Sequence, residues 1–274
     1  MNLKGRLEVV GLTDTGRVRS HNEDSIDDDV EIGVIVLADG MGGYKGGEVA
    51  SAIAINSIME RLQQAVPALP PGEEDPQTGY TNESIALREA INLANEAIYQ
   101  TAQNQPQYQG MGTTVVMAIF YDNRMTIAHV GDSRMYRFRN DTLEQITSDH
   151  SLLQELVDRG FYSPEEARQS LNKNLVTRAL GIEPTVAVDL HEDMTLPGDI
   201  YLLCSDGLSD MVEDDAIADT IRNYGTNLEE TARQLVELAN AGGGKDNISV
   251  VLAKPLKDFP AKKHWYDKVV DWFF

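Results

Sequence analysis

Apolar positions along the chain follow two periods. Short apolar runs, many of them β-branched, predict strands over 7–12, 33–37, 113–121, 124–130, 134–139, 199–204 and 248–252. The run Val34-Ile35-Val36-Leu37 has no polar alternation, which is how a strand covered on both faces reads. Helical spacing takes over at Val49, Ile53, Ile55, Ile58, Met59, Leu62 and Val66. It predicts a helix over 48–66, ended by Pro67, Pro70 and Pro71. A second amphipathic helix is expected over 83–103 after a loop at 67–82, giving a helical hairpin layer without a domain boundary. Two more are expected over 214–223 and 228–240, the latter with Asn227 and Glu230 placed for a capping box. A short helix is expected after Ser151, and Asp122-Asn123 fits a hairpin turn. Residues 152–185 are the least strand-like part of the chain and are expected to be a mobile excursion. Within them, Ser163-Pro164-Glu165-Glu166 spells a capped helix start.

The central run stops at Asp39, and Gly40, Gly42, Gly43, Gly46 and Gly47 follow before the helix. Strand, glycine turn and helix are also the layout of a phosphate cradle. A bare phosphate beside Asp39 would be repelled unless a cation lay between them. Taken alone, the stretch also reads as a tight turn with an N-capping Asp. The same arrangement recurs: Asp206 ends an apolar strand before Gly207, Asp246 follows a triple glycine and precedes the last strand, and Asp132 ends a fourth run. Lys245 lacks the following Ser or Thr of a phosphate loop, and a strand comes next, not a helix.

Composition narrows the chemistry. Against 44 acidic residues stand 23 basic ones, a formal charge of −21, which disfavours nucleic acid and anionic lipid as partners of the whole surface. Handling phosphate then requires local positive charge, from arginine or metal. The 42% hydrophobic content suits a globular core, and there is no leader-like segment or long apolar span. One cysteine, Cys204, excludes an internal disulfide and fits a reducing, cytoplasmic setting.

Several aspartates at buried strand ends would repel strongly unless hard divalent cations neutralised them. Histidine and cysteine are too scattered for zinc, and no EF-hand loop is present. Two ions sharing a water can acidify it and clamp a phosphoryl group. Arg19, just before Glu23-Asp24, is placed to bind the phosphate, with a second arginine as alternative. Cys204 lies inside an apolar strand with Asp210, not arginine, six residues on, so a cysteine-dependent phosphatase is excluded in its usual form.

In order along the chain stand Arg19 with Asn22-Glu23-Asp24, then Ala38-Asp39-Gly40-Met41-Gly42-Gly43, then Met111-Gly112-Thr113-Thr114. After them come His129-Val130-Gly131-Asp132-Ser133-Arg134, Asp149-His150-Ser151, Thr177-Arg178-Ala179-Leu180-Gly181, Ser205-Asp206-Gly207-Leu208 and Lys245-Asp246-Asn247. From about residue 8 to 253 the chain resembles the metal-dependent, type 2C serine/threonine protein phosphatases in their compact bacterial form.

The resemblance implies an α+β fold, a four-layer αββα sandwich of two antiparallel sheets, each covered by a helix pair. It implies a catalytic domain over 1–254, with 152–185 as the flap beside the site and 255–274 as an aromatic tail. Two core Mn2+ or Mg2+ ions are implied, with room for a third, weaker one. Asp39 would bridge the core ions, the Gly40 carbonyl would join one, and Asp206 and Asp246 the other. Glu23 would act directly or through water, Asp24 as support, and Asn247 to orient Asp246. Asp132, shared with Asp206, would serve the third ion, and Arg19 would hold the phosphate. The implied reaction is one-step hydrolysis of phosphoserine or phosphothreonine in proteins by a metal-bridging water or hydroxide, without a phosphoenzyme.

Met41 stands where animal members carry a histidine proposed as general acid; this leaves a metal-bound water, or His150, as proton donor. Tyr44 replaces a histidine of some bacterial relatives. A non-catalytic, partner-binding member of the fold is the alternative function; a dinucleotide enzyme is opposed by Asp39. Phosphoproteins are the expected substrates and a Ser/Thr kinase the expected counterpart. The tail, His264–Phe274, reads as a docked terminal helix, or else as an interfacial or partner anchor, with few basic residues to favour a membrane.

Overall fold

The computed structural model describes residues 2–43, 45–163, 166 and 175–261. Tyr44, most of 164–174 and the tail beyond 261 lie outside them, and with them the interior of the flap and the aromatic helix expected at 264–274.

The described residues form eleven strands. These are β1 (Leu7–Asp14), β2 (Asp24–Asp29), β3 (Val34–Met41), β4 (Gly112–Thr113), β5 (Val115–Tyr121), β6 (Arg124–Val130), β7 (Arg134–Arg139), β8 (Thr142–Gln145), β9 (Asp189–Met194), β10 (Ile200–Cys204) and β11 (Ile248–Pro255). One sheet runs β1-β11-β10-β7-β8 and the other β2-β3-β5-β6-β9, with β4 added to the end of β3. All the pairings between these strands are antiparallel. Six helices accompany them: α1 (Gly46–Ala65), α2 (Asn82–Asn104), α3 (Leu152–Asp158), α4 (Asp206–Ser209), α5 (Asp214–Tyr224) and α6 (Leu228–Ala241).

Three apolar cores show how these elements stack. Ala50, Ile58 and Leu62 of α1 and Leu87, Ile91 and Ile98 of α2 pack on Val34, Val36, Met117 and Ile119. Ile217, Ile221, Leu235 and Val236 of α5 and α6 pack on Leu202, Cys204, Val250 and Leu252. Between the sheets, Ile35, Leu37, Val116 and Phe120 meet Tyr201, Leu203 and Val251. Successive residues of β3 and β10 thus serve two cores each, so the unbroken apolar runs are those of strands covered on both faces. The result is the expected αββα sandwich.

Local chemistry sets the boundaries. The Thr81 side chain accepts from Ser84 N at the start of α2, and Asn227 accepts from Glu230 N at the start of α6. Asp122 and Asn123 both take positive φ, as a two-residue hairpin turn requires. Ser163 and Glu166 exchange hydrogen bonds in the predicted cap. Three strands lie where the sequence pattern predicts none, β2 (DSIDDD), β8 (TLEQ) and β9 (DLHEDM), and each is an edge of its sheet. Past β11, Phe259 is buried, and the Phe259 and Ala261 amides donate to Asn123 Oδ1 and Asp122 Oδ1. Among the described residues no helix is long and apolar enough to cross a membrane.

Candidate metal centre

Both sheets deliver acid to one end of the sandwich. β3 does not stop before Asp39 but runs on to Met41, because Gly40 and Met41 pair with Thr113 and Gly112 of β4. Asp39 therefore lies within a strand, facing Asp24 across the β2–β3 pair. The Asp39 amide donates to Thr114 Oγ1, while its carbonyl accepts from Thr114 N and Thr113 Oγ1. Gly40 sits where no side chain fits: a Cβ there would overlap the backbone carbonyls of Gly47 and Glu23. From the other sheet, Asp206 opens α4 just after β10, and Asp246 lies just before β11. Asp132 lies in the connection from β6 to β7, where the chain crosses between sheets.

Electrostatics register the convergence. Burial raises the Asp39 carboxyl well above its usual range, and the charges of Asp24, Asp206, Asp132 and Asp246 raise it further. Asp206 is raised likewise by burial and by Asp132, Asp246, Asp210 and Asp24. Burial, then Asp149, pushes Asp132 up to about 6. Glu23 is raised by burial while Arg19 pulls it back. Such groups gain most from a cation.

Asp24 plays a different part from the others. Its Oδ2 accepts from Ser205 Oγ at 2.9 Å and Ser249 Oγ at 2.6 Å, so a carboxylate of one sheet is held by hydroxyls of the other. Burial still pushes it up to about 6. Asn247 acts mainly on the loop preceding β2: its Oδ1 accepts from Glu23 N, and its Nδ2 donates to the Thr15 and His21 carbonyls. Only its backbone N–H reaches Asp246, at Oδ1, 2.8 Å away. Arg19 donates to Asp246 Oδ2 at 2.6 Å with half its side chain exposed.

The residues fit a pair of hard cations. Buried Oδ1 atoms of Asp206 and Asp24 have no hydrogen-bond partner, and a guanidinium already neutralises Asp246. Among the described residues, no three of these carboxylates bring ligand oxygens within 4.8 Å of one another. Mg2+ and Mn2+ take few protein oxygens and complete their shells with water, so each would need only one or two of these carboxylates.

Among the described residues one cluster does meet that distance, His129, His150 and Asp189, but Arg178 already occupies it. Arg178 Nη1 lies 2.7 Å from Asp189 Oδ1 and 3.1 Å from His150 Nε2. His150 Nδ1 accepts from the Gly131 amide, which leaves the ring proton on Nε2 and that nitrogen unable to ligate. Burial, His129 and Arg178 push His150 down to about 4, so it is neutral at neutral pH and has no spare proton for a leaving group. With Nδ1 taken by the Gly131 amide and Nε2 directed at Asp189, His150 is placed for a structural role and not as the alternative general acid.

Several contributors escape a reading by sequence. Ser205, Ser249 and Thr114 are ordinary small polar residues of strands or their flanks until the sheets close on them. Asp210 adds negative charge felt by both Asp132 and Asp206. Its spacing of four from Asp206 was the available signal.

Residues 15–240 match the family model of protein phosphatase 2C. The serine/threonine phosphatase stp of Listeria welshimeri is 38% identical over 247 residues, covering 88% of this chain and 93% of that relative. The crystal structure of the Mycobacterium tuberculosis serine/threonine phosphatase PstP superposes with a TM-score of 0.81 at 38% identity, covering 93% of this chain and 99% of that one. Its catalytic domain has also been solved in complex with two manganese ions, with a TM-score of 0.78 at 38% identity, covering 91% of this chain and 98% of that one. Two facing antiparallel sheets with acids gathered at one end, and a match of this extent, have one explanation: the chain belongs to the protein phosphatase 2C family, a family of metal-dependent enzymes.

Proposed function

We propose that this chain hydrolyses phosphoserine and phosphothreonine in proteins, with two Mn2+ or Mg2+ ions held at the Asp39 end of the sandwich. The observation that supports it most is the mutual repulsion of Asp39, Asp206 and Asp132, carboxyls from distant parts of the chain, together with the unpartnered Asp206 Oδ1. In this reading Asp39 would be the ligand common to both ions, the Gly40 carbonyl would serve one, and Asp206 and Asp246 the other. Glu23 would act directly or through water, and Asp132 with Asp206 would hold a third, weaker ion. Ions held there would supply water of lowered pKa and positive charge for the phosphoryl oxygens.

Arg19 is the residue for the substrate phosphate. Its exposed guanidinium rests on Asp246 and would exchange that carboxylate for the phosphoryl oxygens. Asp24 and Asn247 hold the strand and loop that present Asp39, Glu23 and Arg19. A cysteine nucleophile is ruled out, because Cys204 is buried in β10 and burial pushes its thiol up to about 12; the reading is direct attack by water. The predicted boundary at 254 falls short in this reading, since β11 reaches Pro255 and Phe259 packs into the inter-sheet core; the catalytic domain takes in the residues to about 261, with 152–185 as its flap and the remainder as its tail. A Ser/Thr kinase supplies its phosphoprotein substrates, and the cytoplasm is its compartment, consistent with a free, buried cysteine.

Hydrolysis of p-nitrophenyl phosphate and of a phosphothreonine peptide tests the reading. Turnover that requires Mn2+, stops with chelator, and is lost in Asp39→Ala and Asp246→Ala is the expected outcome. Mn2+ binding without turnover of either substrate would instead favour the partner-binding alternative.

A further inference from the structure

The connection carrying Asp132 is bracketed on both sides. Ahead of it, Gly131 is held twice by a single residue: the Gly131 amide donates to His150 Nδ1 at 3.0 Å, and the His150 amide donates to the Gly131 carbonyl at 2.9 Å. Behind it, Ser133 Oγ lies 2.8 Å from Thr114 Oγ1, the oxygen that also accepts from the Asp39 amide. Gly131 itself has φ +113, and a Cβ there would come within 2.6 Å of Thr114 Cβ. The turn therefore has one conformation open to it, pressed against Thr114 and pulled back by the imidazole.

His150 is in turn fixed from every side. Its ring stacks on His129 with centroids 4.6 Å apart and planes 21° from parallel. Its Nε2–H points to Asp189 Oδ2 at 3.2 Å, and Arg178 Nη1 holds the same carboxylate and the Ala187 carbonyl. Its carbonyl accepts from Thr177 N, where the chain returns from the excursion, and Leu152 N pairs with Leu175 O alongside. This machinery neither faces the core carboxylates nor forms part of an apolar core. Two of its bonds, from the His150 amide and to His150 Nδ1, end on Gly131, the residue before Asp132, and the others hold His150 in place to make them.

We propose that His150 is a positioning residue for the third ion: by gripping both backbone polar atoms of Gly131 it aims the Asp132 carboxylate and sets that ion's affinity. The inference rests on Asp132 being a ligand of that ion. The ligands assigned to the two core ions make no bond to His150, so the core sites should change much less than the third. A lost contact behind a ligand costs about tenfold or more in metal affinity.

The test is a pair of polar variants. His150→Asn places a carboxamide oxygen near the position of Nδ1 and keeps an acceptor for Gly131; His150→Gln reaches toward Nε2 instead. Two readouts apply: hydrogen exchange of the Gly131 amide in metal-free protein, and Mn2+ binding to the full chain followed by EPR. In the Gln variant the expected result is Gly131 exchange faster by about tenfold, a weakest Mn2+ site weakened about tenfold, and core sites within about twofold of the parent. The Asn variant should keep both near the parent. Unchanged weak-site affinity in the Gln variant, failure of Asn to restore it, or core sites weakening in step would each overturn the proposal. If the Gln variant does not fold, Asp189→Ala, which releases the ring at Nε2, is read in the same way. Asp132→Asn separates the layers: if it leaves the weak site intact while the Gln variant loses Gly131 protection, the assignment of Asp132 has failed and the proposal falls with it, though the grip is real.

Discussion

Asp132→Asn is expected to stabilise the metal-free protein at pH 7.5 and to do nothing at pH 4 or below. The Asp132 carboxyl is raised from 3.8 to about 6, mainly by burial and then by Asp149. Because the folded state holds the proton more tightly than the unfolded chain, this group favours folding below about pH 4. The benefit is lost as pH rises through about 6, and above that the folded state carries an unwelcome charge. A rise of that size corresponds to about 3 kcal/mol, and partial solvent contact reduces it to about 1–2 kcal/mol. Asparagine keeps the shape and omits the charge, so urea unfolding in chelator at pH 7.5 should show that gain, with a melting temperature about 2–6 °C higher. Saturating Mn2+ should reverse the order, since the parent gains more from the ion it binds better. A variant that is neutral or less stable in chelator at pH 7.5 would show that Asp132 does not sit in a repelling cluster, and the electrostatic case for the site would fail there.

Arg19→Ala should raise KM for p-nitrophenyl phosphate more than it lowers kcat and change stability by under about 1 kcal/mol, as its Asp246 pair is exposed. It should also tighten Mn2+ binding by removing a competing cation; weaker binding would count against that role. Gly40→Ala forces a Cβ onto two backbone carbonyls, and urea unfolding should show a loss of at least about 2 kcal/mol together with weakened Mn2+ binding. Chains cut after 254 and after 261 should differ by about 3–5 kcal/mol in unfolding free energy, because the shorter one uncovers the Phe259 pocket. Equal stabilities would mean that Phe259 caps nothing of consequence.

Elements that serve two cores were readable. Val34–Leu37 and Tyr201–Cys204 are apolar at every position because each face meets a different layer, and α1 and α2 repeat with helical spacing because only one stripe is covered. Polar edge strands were not: β2 pairs only with β3 and β9 only with β6, so DSIDDD and DLHEDM carry no apolar run to detect, while the apolar edge strand β1 was readable. That omission hid how Asp24 comes to face Asp39. The aspartates were visible as acids at the ends of apolar runs. The seryl grip on Asp24, the Asn247 tie to Glu23 and the imidazole behind Gly131 exist only after distant strands meet, and a linear pattern holds no trace of such pairings.

Asp39 and Asp24 ride on one sheet, Asp206 and Asp246 on the other, and the side chains of Leu37, Val116, Tyr201, Leu203 and Val251 lie between them. That middle layer is the spacer that gauges how far apart the two halves of the centre stand. Trimming one of its residues, out of reach of any ligand, would let the sheets settle toward each other. The interval between bound ions would shift with them, which makes an oily layer with no polar chemistry of its own the calibrating part of the catalyst.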